Sequence, residues 1–172
     1  MRISIRNIGK VGAASVTING ITVIAGENNT GKSTVGRSLF AMFNSFYNIQ
    51  KQIEAERVQN ANHLIALMYH SLTHRMTRVF DAKEIAQNIV TDIDFYRNDV
   101  SAIQNMLIRA ILQYDEHFEK YIEDSNVEKF IFRIREGLSI SDRDIFKSVL
   151  EKKLDIEFNG QINNIFNEVQ GR

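Results

Sequence analysis

Eight consecutive residues constrain this chain more than any other stretch. Gly26-Glu-Asn-Asn-Thr-Gly-Lys-Ser33 matches the pattern G-x-x-x-x-G-K-[ST] at every fixed position. The octet lies between an apolar run (Ile21, Val23, Ile24, Ala25) and a helical pattern that begins at Lys32. Strand, glycine-rich turn and helix, in that order, form the setting in which such a loop holds phosphate. Gly26 and Gly31 lack a Cβ, so the backbone there can take positive φ and approach a phosphate closely. Successive N–H groups then face a concave site at the positive end of the following helix. Lys32 offers a flexible point charge to the β- and γ-phosphates, and the Ser33 hydroxyl a ligand to Mg²⁺. Thr34 reads as a helix-start residue near the α-phosphate. The candidate nucleotide-binding set is Gly26, Glu27, Asn28, Asn29, Thr30, Gly31, Lys32, Ser33 and Thr34, with ATP and Mg²⁺ as the expected ligands. Neither an Asn-Lys-x-Asp nor an Asp-x-x-Gly sequence occurs, which favours ATP over GTP.

Composition narrows the rest. The 172 residues carry 21 basic and 21 acidic side chains, a formal net charge of zero. A nucleic-acid surface would show as a basic excess or cluster, so none is expected. Arg133, Arg135, Arg143, Lys147 and Lys152 form a local basic bias, which Glu136, Asp142, Asp144 and Glu151 offset as on a solvated helix face. With no cysteine there is no disulfide framework and no thiolate metal site. No apolar run approaches the roughly 18 residues of a membrane span, and the N-terminus lacks a signal-peptide core. A soluble, cytoplasmic protein is the expectation. The absence of proline favours long, uninterrupted helices.

Periodicity divides the chain unevenly. Ile3, Ile5 and Ile8 alternate with Arg2, Ser4 and Arg6, which predicts a half-buried strand over 2–8. Gly9 to Gly12 reads as a turn, and Val16 and Ile18 as part of a second strand. Asn19-Gly20 is a two-residue hairpin signal leading into a buried strand over 21–25. From Val35 to Tyr47 apolar residues recur at helical spacing, and the same period runs on to about residue 152. Ser101 and Ser125 read as N-caps, and Ser141-Asp-Arg-Asp144 as a helix start with its acids near the positive end. Leu154, Ile156 and Phe158 alternate like a short strand, Asn159-Gly160 closes it, and Ile162, Ile165, Phe166 and Val169 predict a last helix. The expected fold class is α/β: a phosphate-loop NTPase lobe over 1–47, a large all-helical insertion over 48–152, and a return strand and helix over 153–172. Helix dominates overall.

Ile3-Ser-Ile-Arg-Asn-Ile8, Val16-Thr-Ile18, the run Ile21 to Thr34 and Arg37-Ser-Leu-Phe40 resemble the N-terminal lobe of SMC/RecF-type ATPases. These are AAA-family proteins with an ABC-like head, and they include the OLD-type ATPases. The resemblance covers about residues 1–47, and beyond it only the presence of a helical insertion is shared. It implies ATP hydrolysis by two heads that sandwich nucleotide, hence a homodimer of the full-length head. It also implies that Arg6 or Asn7 touches base or ribose, and that Gln161 senses Mg²⁺ and water, although a polar residue after a turn is the preferred account of Gln161.

The second half of such a head is not legible here. No Ser-Gly-Gly signature occurs, and no apolar strand ends in Asp-Glu. Asp115-Glu116 follows Ile103, Leu107, Ile111 and Tyr114, whose steps predict a helix surface, and Asp92 and Asp94 fail similarly. Phosphoryl transfer depends on positioning and charge neutralisation, so this piece is expected to bind nucleotide and barely turn it over. No catalytic residue is assigned, and the chain reads as the N-terminal part of a longer ATPase. His70 and His74 share a helix face at i, i+4, without the Glu or third ligand of a zinc site. A different reading makes helices 48–152 a docking module for a protein partner, with nucleotide as a structural switch. A phosphate-loop kinase with a helical lid lacks an acceptor-binding acid or arginine pair.

Overall fold

The computed structural model describes residues 1–74, 81–123 and 125–160. Gln161 and the expected helix through Val169 lie outside the described residues. The chain is helix-dominated, with one two-stranded antiparallel sheet. It divides into two units, Met1–Ile49 with residues from Phe146 onward, and Gln50–Ile145.

In the first unit, β1 (Arg2–Ile8) pairs with β2 (Val11–Thr17), Ile5 opposite Ala14 and Ile8 opposite Val11. The connection is the two-residue turn Gly9-Lys10, and Gly9 has φ 56, as a primed hairpin turn requires at its first position. Alternation works as expected: Ile5 is buried while Arg2, Ser4 and Arg6 face solvent. Ile5, Val11 and Val35 form a small core, with Ile3, Ile8, Ala14, Val16 and Leu39 packed around it.

Two expectations fail here. The hairpin is at Gly9-Lys10, not at Asn19-Gly20, because β2 pairs back on β1 and the segment after Gly20 forms no strand for a second hairpin to join. The strand over 21–25 is also absent: Ile21 and Val23 are 96% and 82% exposed, and the segment carries no sheet pairing. An apolar strand of this kind is stable only between neighbours that cover both faces. Among the described residues there are just two strands, and they pair with each other.

Helix α1 (Lys32–Phe46) follows, ending near Asn48, whose φ of 51 turns the backbone. It buries Val35, Ser38, Ala41 and Ser45 and leaves Phe40, Phe43, Phe46 and Tyr47 exposed. The second unit holds most of α2 (Ile49–Thr73), then α3 (Ala82–Thr91), α4 (Ile93–Asn98), α5 (Val100–Leu112), a 3₁₀ segment (Glu116–Tyr121) and α6 (Ser125–Ser139). Its core draws Ile65, Met68 and Tyr69 from α2, Ile85 and Ile89 from α3, Ile103, Leu107 and Ile111 from α5, and Val127, Ile131, Ile134 and Leu138 from α6. Tyr69 stacks on Phe118 with ring centroids 6.0 Å apart.

Caps decide where these helices begin. Asp81 accepts from Lys83 and Glu84 amides at the start of α3. Asp99, not Ser101, caps α5, its carboxylate accepting from the Ala102 amide at 3.0 Å. Asp99 precedes the helix and can keep an extended backbone, whereas Ser101 is already helical. Ser125 opens α6 as its first residue. Ser141 caps α7 (Asp142–Glu157), accepting from the Asp144 amide at 3.2 Å and donating to the Asp144 carboxylate. The expected strand at Leu154–Phe158 is helix. Nothing interrupts α7 before Asn159, and Leu154 and Phe158, four residues apart, share a side while Ile156 is 70% exposed. The helix stops in a Schellman turn: Asn159 and Gly160 have φ of 52 and 71, and their amides donate to the Ile156 and Asp155 carbonyls.

The C-terminus of α6 is held by arginines. Arg57, only 7% exposed, donates to Leu138 O at 2.9 Å, Ile140 O at 2.7 Å and Asp142 Oδ1 at 2.8 Å. Arg97 donates to Leu138 O as well, at 2.9 Å through Nη2. Two cations at carbonyls that lack helical partners suit the negative end of the helix dipole. Arg57→Ala is expected to lower stability by about 1–3 kcal/mol, since it takes a donor from Ile140 O and opens a hole where a buried side chain packs, while Leu138 O keeps Arg97. Arg57→Lys is expected to recover little, because an ammonium cannot span three acceptors. Urea unfolding of the full chain checks this, and a loss under about 0.5 kcal/mol, typical of a surface substitution, would refute it.

Candidate functional site

The octet forms a loop between the extended run and α1, within one unit. Lys32, the first residue of α1, turns back over the loop, and its Nζ donates to Gly26 O at 2.7 Å and also to Glu27 O. Thr30 Oγ1 donates to Glu27 O as well, at 2.8 Å. One ammonium therefore gathers the start of the loop beneath its end. A Cβ on Gly26 would lie 3.3 Å from Thr30 Oγ1 and 4.0 Å from Lys32 Cδ, so this glycine serves the close crossing of the lysine. Gly26 does not use the positive φ open to a glycine. That conformation falls to Asn29 (φ 68) and Gly31 (φ 90).

Gly31 is also packed. A Cβ there would stand 2.7 Å from Val11 Cγ2, so the β1–β2 turn lies directly against the end of the loop. Beside it, Lys10 Nζ donates to Asn29 Oδ1 at 2.5 Å. Lys10 has no place in the octet pattern, and only the folded hairpin brings it here. Sequence spacing could not single it out.

The start of α1 differs from the capped starts of α3, α5 and α7. Its N-cap is Gly31, no side chain caps it, and no acid occurs in its first turn. The first-turn amides of Lys32, Ser33 and Thr34 have no acceptor among the described residues. Such N–H groups, with the positive helix end behind them and an ammonium beside them, suit an anion. Ser33 is exposed on that first turn, and Thr34 is half-buried with its carbonyl accepting from Ser38 Oγ at 2.9 Å. Glu27, Asn28 and Thr30 are exposed along the loop. Arg6 and Asn7 are exposed on β1, and Asn7 has φ 53.

The other candidates belong to the second unit. Asp115 is not on a helix surface: it is 6% exposed and caps the 3₁₀ segment, accepting from the His117 amide at 3.1 Å and from Tyr69 Oη at 2.8 Å. Glu116 beside it is exposed. Asp92 lies between α3 and α4, and Asp94 pairs with Arg97 at 3.4 Å. His70 is on α2, and His74 lies past its end with φ 56, so the two do not continue one helical face. No cluster of three metal-ligating side chains occurs among the described residues. A groove of about 850 Å³ beside α6 is lined by Val100, Gln104, Phe130 and Phe132 together with two acids, Glu128 and Glu136, and two bases, Lys129 and Arg133, so no one sign of charge collects there. No described helix is long and apolar enough to cross a membrane. Compared with family models, curated proteins and solved structures, the chain matches none.

Gly31 is the position where sequence and packing constrain the loop most. Gly31→Ala forces a side chain into positive φ and against Val11, and is expected to destabilise the chain by about 1–3 kcal/mol. Adding Val11→Ala should not restore stability, since it relieves the clash, leaves the backbone strain and removes a core side chain. Thermal unfolding of both variants measures this, and a stable Gly31→Ala would refute the loop geometry.

Proposed function

We propose that this chain binds MgATP through the loop Gly26–Thr34, with the triphosphate over the first turn of α1. The observation that carries this reading is the uncapped start of α1 next to the looped-back Lys32. Phosphate oxygens would accept from first-turn amides that otherwise turn to water, and the lysine would neutralise charge from one side. Ser33 supplies the Mg²⁺ ligand, a role that suits an exposed hydroxyl on the first turn. The resemblance of residues 1–47 to SMC/RecF-type ATPase lobes supports ATP as the nucleotide and a paired head as the working form. Hydrolysis on this reading needs groups from another polypeptide or a further segment. Asp115 is spent on Tyr69 and its own cap, and no cluster of three metal-ligating side chains occurs among the described residues. The exposed run at Ile21 and Val23 and the aromatic side of α1 give such an addition apolar surface to cover.

Ligand-induced stabilisation provides the test. At about 100 times Kd, MgATP is expected to add about 2.7 kcal/mol, which for a chain of this size raises the melting temperature by about 5–10 °C. Lys32→Ala should abolish the rise. An equal rise in the variant, or none in the wild type, would defeat the proposal.

A second reading rests on the self-contained core of Gln50–Ile145. There the helical unit is a docking module for a protein partner, and nucleotide only sets its shape. Single-turnover assays separate the two: Mg²⁺-dependent phosphate release above a Ser33→Ala control indicates a complete enzyme. Tight binding without release indicates a module or a partial head.

A further inference from the structure

The β1–β2 turn meets the phosphate loop at two points, and only one of them is steric. Val11 fills the space beside Gly31, and Lys10 donates to Asn29 Oδ1 at 2.5 Å. Asn29 is exposed and holds φ 68, a conformation that asparagine tolerates but that nothing in its own side chain enforces. Lys10 is well placed to enforce it. Its backbone is fixed by the tight turn, with Ile8 paired to Val11 on either side, so only the side-chain torsions of Lys10 remain free. Lys32 grips the opposite part of the loop, at the Gly26 and Glu27 carbonyls. Two ammonium groups thus hold two different segments of one loop.

We infer that Lys10 is a positioning residue for the nucleotide site: its contact with Asn29 presets the phosphate loop before the ligand arrives. The inference rests on the MgATP reading above. In an unpinned loop, part of the binding free energy is spent ordering Asn28 to Gly31, and a preset loop avoids that cost. Lys10 acts here through Asn29, not as a phosphate ligand. That distinction is measurable, because residues acting through one contact are not additive.

Isothermal titration of the full chain with MgATP tests it on the wild type, Lys10→Met, Lys10→Arg, Asn29→Gly, the double variant Lys10→Met/Asn29→Gly, and Lys32→Ala. Lys10→Met is expected to raise Kd about 3–10-fold, the scale of an exposed charge-assisted contact. Lys10→Arg, which can still reach Oδ1, should restore it to within about twofold. Asn29→Gly should weaken binding similarly, and adding Lys10→Met to it should change Kd by less than about twofold. The nucleotide-free melting temperature of Lys10→Met should stay within about 2 °C of the wild type, as for an exposed side chain. Wild-type affinity in Lys10→Met would overturn the inference alone. An equal loss in the Asn29→Gly background would overturn it in favour of direct phosphate contact, and a melting temperature well below the wild type in favour of a purely structural role. No binding by the wild type itself, indistinguishable from Lys32→Ala, would remove the MgATP reading and this inference with it.

Discussion

A helix that starts without a cap must find acceptors for its first amides elsewhere, and in this chain α1 does so only in solvent. The residues around it explain why no cap is present. Gly31 has no side chain to offer and cannot gain one, because Val11 fills the space and the backbone is left-handed. The loop's own hydroxyl, Thr30 Oγ1, is turned to Glu27 O, and the lysine's donors go to the Gly26 and Glu27 carbonyls. The hydroxyl could accept from a first-turn amide and is turned away, while the ammonium carries only donors and could not.

The contrast with the rest of the chain sharpens this. At α3, α5 and α7 an Asp or Ser before the first turn closes the helix start from within. At the other end of α6, Arg57 and Arg97 close the carbonyls at Leu138 and Ile140. Three helix starts and one helix end are thus closed by side chains, while α4, whose N-cap Asp92 makes no side-chain cap bond, has an acid in its first turn. Where the chain could have capped α1 by the same means, it has glycine, a lysine and no first-turn acid. A functional opening and an unfinished helix end are locally the same thing, and the difference lies in what surrounds them. Here the surroundings add positive charge.

What the sequence disclosed follows the range over which each signal acts. The octet, the alternation over residues 2–8, the helix from Lys32 and the cap at Ser141 all depend on neighbours a few residues away, and each is where local chemistry puts it. Asp99 rather than Ser101 at α5 is a small displacement of the same kind, between two competent caps in one stretch. The strand misreadings have a different origin. Ile21 to Ala25 and Leu154 to Phe158 both alternate or run apolar as strands do, but pairing is a property of two segments. The first has no described partner, and the second lies in a helix already propagating from Ser141. Lys10 and Arg57 were invisible for the complementary reason. Each is an ordinary basic residue in sequence, given its role by a hairpin in one case and by a contact across 81 positions in the other.

The unpaired run before the loop bears on how the site would work. In a strand–loop–helix unit the strand fixes one end of the loop and the helix the other. Here the helix end is firmly set, by Gly31 against Val11 and by the Val35 amide donating to Gly31 O at 3.0 Å. The strand end is held from within the loop, by the lysine's reach to Gly26 and Glu27 and by Thr30 Oγ1 donating to Glu27 O. Nucleotide that engaged Lys32 would therefore act on both the phosphate cradle and the anchor of the preceding run. Pairing of Ile21–Ala25 with an added strand would fix Gly26 from its other side and free the lysine to serve phosphate. On the MgATP reading, cover for that run and affinity for nucleotide are then coupled, because both act on the carbonyls of Gly26 and Glu27.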